Sequence, residues 1–180
     1  MPTIATMSGA QFDALPYEEG RHWELLEGEL IEVPSPTPRH QIIVKVLLLK
    51  IEIYLEGRRE RCIIIPDVEF ALSDNVRLRP DVCVLLPDKA VQLDLDRIPI
   101  PGAPDLAIEI ISPTERTAES RAKVEAYLRY GIAEVWQIYP KSRVLEIYRG
   151  ENGHRTLSAD QPVTTDLLPG FSVPLSSLFE

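Results

Sequence analysis

The stretch Asp105-Leu-Ala-Ile-Glu-Ile-Ile-Ser112 decides the architecture of this chain. Its length, branching and apolar density are typical of a β-strand that is covered on both faces. Glu109 interrupts the apolar run, and an unpaired carboxylate buried there would cost several kcal/mol. The side chain must therefore be hydrogen-bonded, protonated, salt-bridged or bound to a metal. A structural ion pair with an arginine or lysine meets this requirement, and so does a functional site.

The composition of the whole chain predicts a single globular domain spanning residues 1–180. The chain holds 180 residues, of which 44% are hydrophobic, and this is enough for one proper core. No run approaches the roughly 20 apolar residues of a membrane-spanning helix, and the first residues lack the basic start and apolar centre of a signal peptide. We therefore expect a cytoplasmic protein without membrane association. Cys62 and Cys83 lie in apolar runs without the spacing of zinc ligands, which predicts reduced core thiols.

Hydrophobic periods and turn signals predict an α/β fold. Gly9–Leu15 is expected to be a short helix, and Trp23–Val33 a hairpin that turns at Glu27-Gly28. Arg39–Glu56 is the longest helical pattern, and its wide apolar surface predicts burial against a sheet, or partly against a second copy of the chain. The other predicted elements are strands at Arg61–Leu72, Arg79–Leu86, Asp105–Ser112, Glu134–Tyr139, Val144–Tyr148 and Arg155–Ser158, a loop at Pro87–Pro104 and a helix at Thr117–Tyr130.

Three side chains are candidates for one catalytic site. Asp81 opens one buried strand, and Glu109 lies within the next one along the chain. If these strands pair, both carboxylates project toward one point, where a proton or a cation must separate them. Oxygen ligands favour Mg²⁺ or Mn²⁺. Lys123, on the following helix, would then approach a reacting phosphate, an arrangement suited to phosphodiester hydrolysis by a metal-activated water.

Spacing alone leaves two other functions open. Pairs of acidic residues on neighbouring strands also occur in glycosidases, although an aromatic content of 7% is low for a sugar-binding site. The net charge of −9 argues against broad binding along a phosphate backbone. That charge favours a second alternative, an interaction or regulatory module that has the same fold and does not catalyse.

The residues around these carboxylates resemble the PD-(D/E)XK nuclease pattern and, more closely, the Uma-two family of restriction-endonuclease-like domains. The matching segments keep the same order along the chain: Trp23–Leu30, Ser35–His40, Arg79–Asp81, Ala103–Ser112, Lys123 with Tyr127, Gly131–Trp136 and Leu168–Phe171. The resemblance implies a restriction-endonuclease-like core, with a mixed central sheet flanked by helices and an N-terminal helix and hairpin. It also implies a DNA substrate and a Mg²⁺-dependent site with Asp81 and Glu109 as ligands. Ile111 stands where the motif lysine would be, and Lys123 fits its role because the lysine stem is long and flexible.

The resemblance also points to accessory residues and to an assembly. Glu24, Glu29 and His40 match positions that the family favours. Either glutamate is expected to hold Lys123 or a water, and His40 to position a phosphate or a water, although each also has a structural interpretation as hairpin charge, turn or cap. We expect a homodimer, because a cut through both strands of DNA needs two sites, and the apolar helix Arg39–Glu56 offers a surface for it.

Overall fold

A computed structural model gives the fold and describes residues 6–58, 61–112, 116–150 and 153–180. The helices are α1 (Gly9–Asp13), α2 (Pro38–Leu55), α3 (Pro87–Ala90) and α4 (Thr117–Arg129), followed by a 3₁₀ helix at Leu175–Leu178. The strands are β1 (His22–Leu26), β2 (Glu29–Val33), β3 (Ile63–Pro66), β4 (Phe70–Ser73), β5 (Val76–Leu78), β6 (Val82–Leu85), β7 (Ile100–Pro101), β8 (Leu106–Ile110), β9 (Glu134–Tyr139), β10 (Val144–Arg149), β11 (Gly153–Leu157), β12 (Pro162–Thr164) and β13 (Ser172–Pro174).

The strands of the described residues form two main sheets and one small sheet. The larger sheet has six strands in the order β11-β10-β9-β8-β6-β3, and the second has five in the order β2-β1-β5-β4-β7. Strands β12 and β13 pair separately. Within the larger sheet β8 runs parallel to β9 and antiparallel to β6. The predicted α/β fold with a mixed sheet is therefore confirmed.

Strand β8 lies inside the larger sheet and is covered on both faces. On one face Ile108 packs in a core cluster with Ile43 and Leu47 of α2. On the other face Ala107 packs in a second cluster with Val124 of α4. A strand with a helix on each side buries the side chains that point to either face of the sheet. This explains why the segment is an almost continuous apolar run in the sequence.

The predicted hairpin is confirmed at its turn. Strands β1 and β2 pair antiparallel, with Leu26 opposite Glu29. The two residues between them, Glu27 and Gly28, have φ angles of 51° and 83°. Positive φ at both positions is the geometry that lets a two-residue turn follow the twist of the strands.

The long helix α2 begins and ends within one residue of its predicted bounds. Thr37 caps it by accepting a hydrogen bond from the backbone of His40 at 3.3 Å, and Pro38 occupies the first helical position. The predicted burial holds for one face only, because the side chains of Ile42, Leu49 and Ile53 are 53%, 51% and 69% exposed. Throughout the described ranges, no helix has the length and apolar character needed to cross a membrane.

The segment Arg61–Leu72 corrects the sequence prediction, because it is two strands and not one. Strand β3 belongs to the six-stranded sheet, whereas β4 belongs to the five-stranded sheet. The chain turns between them at Asp67, which has a positive φ of 49°, directly after Pro66, which cannot donate a backbone hydrogen bond. The chain thus passes from one sheet to the other within this segment, although its hydrophobic pattern shows no break there.

Short elements account for the other differences. The predicted loop Pro87–Pro104 contains the one-turn helix α3 and the two-residue strand β7. Strand β5, of three residues, follows Asp74-Asn75 and was not anticipated. Elements of two to four residues are too short to establish a period in the sequence.

Both cysteines are free thiols, as predicted. Cys83 is buried in β6, and this burial raises the pKa of its thiol to about 12. Cys62 is only partly buried. The thiol of Cys83 therefore stays protonated at neutral pH and behaves as a small apolar core group.

Candidate active site

The antiparallel pairing of β6 with β8 brings Asp81 beside Glu109. Val82 lies opposite Ile108 in this ladder, so the next step of the register puts Asp81 opposite Glu109. Oδ2 of Asp81 accepts a hydrogen bond from the backbone N–H of Ile110 at 2.6 Å. The strands that carry Asp81 and Glu109 are thus paired, as the prediction of a shared site required, and Asp81 is anchored to the strand that carries Glu109.

His40 reaches the same carboxylate from the first turn of α2. Its Nε2 lies 3.0 Å from Oδ1 of Asp81, and Nε2–H can donate to that oxygen. In the part of the chain that the structure describes, Nδ1 of His40 is buried and has no hydrogen-bond partner. Asp81 is therefore oriented from two sides, by the His40 ring at one oxygen and by the Ile110 backbone at the other.

Lys123 and Glu24 form a buried ion pair between the two main sheets. Nζ of Lys123 lies 2.6 Å from Oε2 of Glu24, and the two side chains are 10% and 3% exposed. Oε1 of Glu24 accepts a hydrogen bond from the backbone N–H of Arg79 at 2.7 Å. Glu24 of β1, in the smaller sheet, thus binds the ammonium of Lys123, which belongs to the helix α4 that packs on the larger sheet. Glu29, the alternative candidate, lies on β2 with an exposed side chain.

Tyr127 connects α4 directly to Glu109. Its hydroxyl donates a hydrogen bond to Oε1 of Glu109 at 2.6 Å, and it lies one helical turn after Lys123 on the same face. Both Tyr127 and Glu109 are buried. The family resemblance included Lys123 with Tyr127, but nothing in the sequence indicated that Tyr127 would contact Glu109.

Burial raises the pKa of the Glu109 carboxyl well above its ordinary value. The nearby ammonium of Lys123 acts in the opposite direction, whereas the negative charges of Asp81 and Glu24 raise this pKa further. The hydrogen bond from Tyr127 lowers it. In this arrangement the protonated form of Glu109 is favoured, because one ammonium does not offset both burial and two neighbouring carboxylates.

The charges at the cluster fit a divalent cation. If Glu24, Asp81 and Glu109 are all ionised, they exceed the single charge of Lys123 by two. Asp81 and Glu109 offer the oxygen atoms that Mg²⁺ and Mn²⁺ prefer. Among the described residues no group of three or more His, Cys, Asp or Glu side chains is arranged to hold a metal ion. A cation at Asp81 and Glu109 would therefore complete its shell with water, as Mg²⁺ commonly does.

Gln137 and Ser120 border the cluster, and the sequence did not reveal either. Gln137 lies opposite Glu109 in the parallel pairing of β8 and β9. Its amide nitrogen donates to the hydroxyl of Ser120 at 2.7 Å and to the Ser120 backbone carbonyl at 3.1 Å. These bonds tie α4 to β9 beside the helix positions of Lys123 and Tyr127.

Comparisons with known proteins agree with this fold. A family model described as Uma2, "Putative restriction endonuclease", matches residues 10–176. The crystal structure of a putative nuclease belonging to DUF820 from Anabaena variabilis ATCC 29413 is similar, with a TM-score of 0.83 and 21% sequence identity. That match covers 96% of this chain and 97% of the other. A search of curated proteins finds no match. At this level of identity the structural likeness shows the fold.

Proposed function

This chain belongs to the Uma2 family of putative restriction endonucleases, and we propose that it is a metal-dependent endonuclease that hydrolyses phosphodiester bonds of DNA. Family membership supports nuclease chemistry in general. The finer assignment, with Mg²⁺ or Mn²⁺ as cofactor and DNA as substrate, depends on the residues around Glu109. We further propose that residues 1–180 are one nuclease-like domain acting in the cytoplasm, and that two copies form a homodimer able to cut both strands.

The single observation that carries this proposal is the deficit of positive charge at the cluster. Burial, Asp81 and Glu24 together raise the pKa of Glu109, although the ammonium of Lys123 acts against them. A protein that only needed a stable fold would pair such a carboxylate or replace it by an apolar residue. Strongly perturbed carboxyls of this kind are typical of sites where a ligand supplies the missing charge.

Asp81 and Glu109 are the residues that would hold the cation. The backbone N–H of Ile110 and the ring of His40 fix the Asp81 carboxylate, and the Tyr127 hydroxyl fixes that of Glu109. When bound, the cation supplies Lewis acidity, which makes water a stronger acid and polarises the phosphoryl group. Because Glu109 tends to hold a proton, its ionisation and cation binding are coupled, and binding strengthens as pH rises.

Lys123 is the residue proposed to stabilise negative charge on the phosphate as the bond breaks. Its ammonium is already held in place by Glu24, 2.6 Å away, so little reorganisation is needed during the reaction. We propose that Glu24 acts as a positioning residue for Lys123 and that His40 positions Asp81. Glu29 is left out of this mechanism because its side chain is exposed on β2.

A second function, a non-catalytic module of the same fold, is favoured by one specific observation. The ammonium of Lys123 is already neutralised by Glu24, and the raised pKa of Glu109 favours a protonated carboxyl. In that state the site holds fewer negative charges, and such a chain would need neither metal nor substrate. Calorimetry with Mg²⁺ and Mn²⁺ separates the two functions, since the module predicts no heat of binding.

Nicking of supercoiled plasmid tests the proposed endonuclease. We expect cleavage by the purified chain in Mg²⁺ or Mn²⁺ and none after chelation, because the proposed mechanism needs the cation to activate the attacking water. Asp81→Asn should lower the cleavage rate at least about a hundredfold. Asp88→Asn, the same chemical change at an exposed position of α3, is the matched control and should cleave like the natural protein.

Cleavage that survives the chelator, or an Asp81→Asn protein as active as the Asp88→Asn control, would contradict the proposal. No binding of Mg²⁺ or Mn²⁺, together with no cleavage of any DNA form, would favour the module. Comparing linear, supercoiled and single-stranded DNA in the same assay distinguishes a restricted substrate from an inactive protein.

A further inference from the structure

One face of α2 carries a row of apolar residues that is exposed over most of its length. Ile42, Val46, Leu49 and Ile53 recur at steps of four, three and four, which forms a single line along the helix. Ile42, Leu49 and Ile53 are 53%, 51% and 69% exposed, whereas Val46 is half-buried and packs partly against the core. The three exposed apolar side chains of this row mark an interaction surface.

We infer that this row binds a second copy of the chain, with α2 packed antiparallel against the partner's α2 across a two-fold axis. The row is symmetrical about its own midpoint. Ile42 would face the partner's Ile53, and Val46 would face the partner's Leu49, with the same contacts repeated in reverse. Steps of three and four residues also give the apolar seam that a pair of packed helices needs.

The charges beside the row select a second copy in this orientation. Lys45 and Glu52 are both exposed and flank the same edge of the row. In the antiparallel pair Lys45 lies within about 3 Å of the partner's Glu52 along the helix axis, and symmetry forms this contact twice. In a parallel pair Lys45 would instead lie on the side of the partner's Arg39 and Lys50, where charges of the same sign repel.

The surface continues past the end of the helix. Ile42 also lines a cavity of about 410 Å³ together with Leu178 and Phe179 near the C-terminus. Leu178 is buried, so Phe179 is the apolar tail residue that the partner's helix would meet beside Ile42. Arg39, Arg143 and Glu180 also line this cavity and would form a charged border to the apolar row.

This helix pairing rests on the homodimer of the proposed function and gives that homodimer a defined geometry. His40, which contacts Asp81, lies in the first turn of α2. At 1.5 Å per residue, the two His40 residues of the pair would lie about 22 Å apart along the helix axes. Both candidate sites would thus be held at one separation by the same pair of helices.

Sedimentation equilibrium of the full chain tests the surface. We expect a dimer for the natural protein and a dissociation constant raised about tenfold or more by Leu49→Glu, because this change puts two carboxylates at the centre of the seam. Leu95→Glu is the matched control, since Leu95 is 82% exposed outside α2. Leu95→Glu should leave dimerisation unchanged. Circular dichroism should show both variants folded, since neither side chain belongs to the core.

A charge exchange tests the orientation. Lys45→Glu and Glu52→Lys should each weaken the dimer, and the double variant should recover it because both reciprocal pairs reform with reversed signs. A natural protein that is monomeric at every concentration overturns the inference, as does a Leu49→Glu protein that dimerises like the Leu95→Glu control. A double variant weaker than both single variants overturns the antiparallel arrangement. A dimer that cuts no DNA would contradict the proposed endonuclease and leave this surface intact.

Discussion

Two buried glutamates on neighbouring parallel strands behave differently in this protein. Glu134, the first residue of β9, is 1% exposed. It accepts hydrogen bonds from the indole nitrogen of Trp136 and from the guanidinium of Arg149. Its charge is therefore matched by a cation at direct contact. Glu134 and Arg149 have the arrangement of a buried structural ion pair.

Glu109, on β8, is 7% exposed, and its hydrogen-bond partner in the described part of the chain is not a cation. It accepts a hydrogen bond from the neutral hydroxyl of Tyr127. The ammonium that favours its ionisation, that of Lys123, is in direct contact with Glu24. Burial is consequently the dominant cause of its raised pKa. The comparison shows that burial of a carboxylate does not mark a site by itself, whereas the lack of a matching charge does.

The largest effect should come from removing the ammonium of Lys123 beside Glu109. Lys123→Met is expected to slow DNA cleavage by about 10²–10³-fold, because the ammonium proposed to stabilise the phosphate is lost. The same change should destabilise the fold by leaving Glu24 buried and unpaired. The cleavage assay is therefore run well below the melting temperature measured by circular dichroism.

A double variant separates these two consequences. Lys123→Met combined with Glu24→Gln removes both charges of the pair, so stability should largely recover while cleavage stays lost. If the double variant regains cleavage, Lys123 has a structural role only, and the contrast between the two glutamates disappears.

Removing the cation of the Glu134 pair should change stability and leave chemistry alone. Arg149→Met is expected to lower the free energy of unfolding by about 2–3 kcal/mol, less than for a fully buried pair because the Arg149 side chain is 40% exposed. Urea denaturation measures this loss, and Arg149→Met with Glu134→Gln should recover most of it. The rate of DNA cleavage below the unfolding transition should match that of the natural protein. A rate loss as large as that of Lys123→Met would contradict the distinction.

The smallest effect concerns the dependence of stability on pH. Since the folded-state pKa of Glu109 is raised above 4.5, the folded protein keeps a proton that the unfolded chain releases. Stability contributed by this group therefore falls as pH rises above that value. Glu109→Gln removes the penalty, so we expect the melting temperature at pH 8 to rise by roughly 2–4 °C and to vary less between pH 5 and 8.

Glu134→Gln is the control for that measurement. It should lower the melting temperature, because the guanidinium of Arg149 loses its buried charged partner and keeps only the exposed Asp166. Glu109→Gln should also abolish DNA cleavage while stabilising the fold, the combination expected where a protein sacrifices stability for function. A lower melting temperature in Glu109→Gln, with the same slope against pH, would show that Glu109 is as well matched as Glu134.

Long periodic segments made much of the fold predictable. The helices α2 and α4 and the strands β9 and β10 were anticipated from the sequence, as was the hairpin turn at Glu27-Gly28. Each has enough residues, or a sufficiently specific turn, for one local pattern to dominate. The short β5 and β7 and the break between β3 and β4 were not anticipated. Their positions depend on the sheet that each strand joins, which no local pattern records.

The candidate site also has residues that the sequence could predict and others that needed the structure. Asp81 and Glu109 were recognisable as candidates because charged residues in or beside apolar runs are costly unless they are paired. Lys123 was a candidate because it lies on the helix that follows Glu109 and fits the place of the motif lysine in the family resemblance. The choice between Glu24 and Glu29 could not be made from the sequence, because both lie on one predicted hairpin. In the structure Glu24 is buried against Lys123, and Glu29 is exposed.

The amino-acid sequence by itself determined the longer elements, their approximate bounds and the presence of a carboxylate inside a buried strand, because these follow from interactions between residues close together along the chain. Only the tertiary structure decided which groups satisfy that carboxylate. The Tyr127 hydroxyl reaches it from α4, and the Lys123 ammonium on the same helix acts on its charge. Glu24 binds that ammonium from the other sheet, and His40 reaches Asp81 from α2. The physical reason is that electrostatic interactions depend on distance and burial in three dimensions, and these distances exist only once both sheets and both helices have packed together.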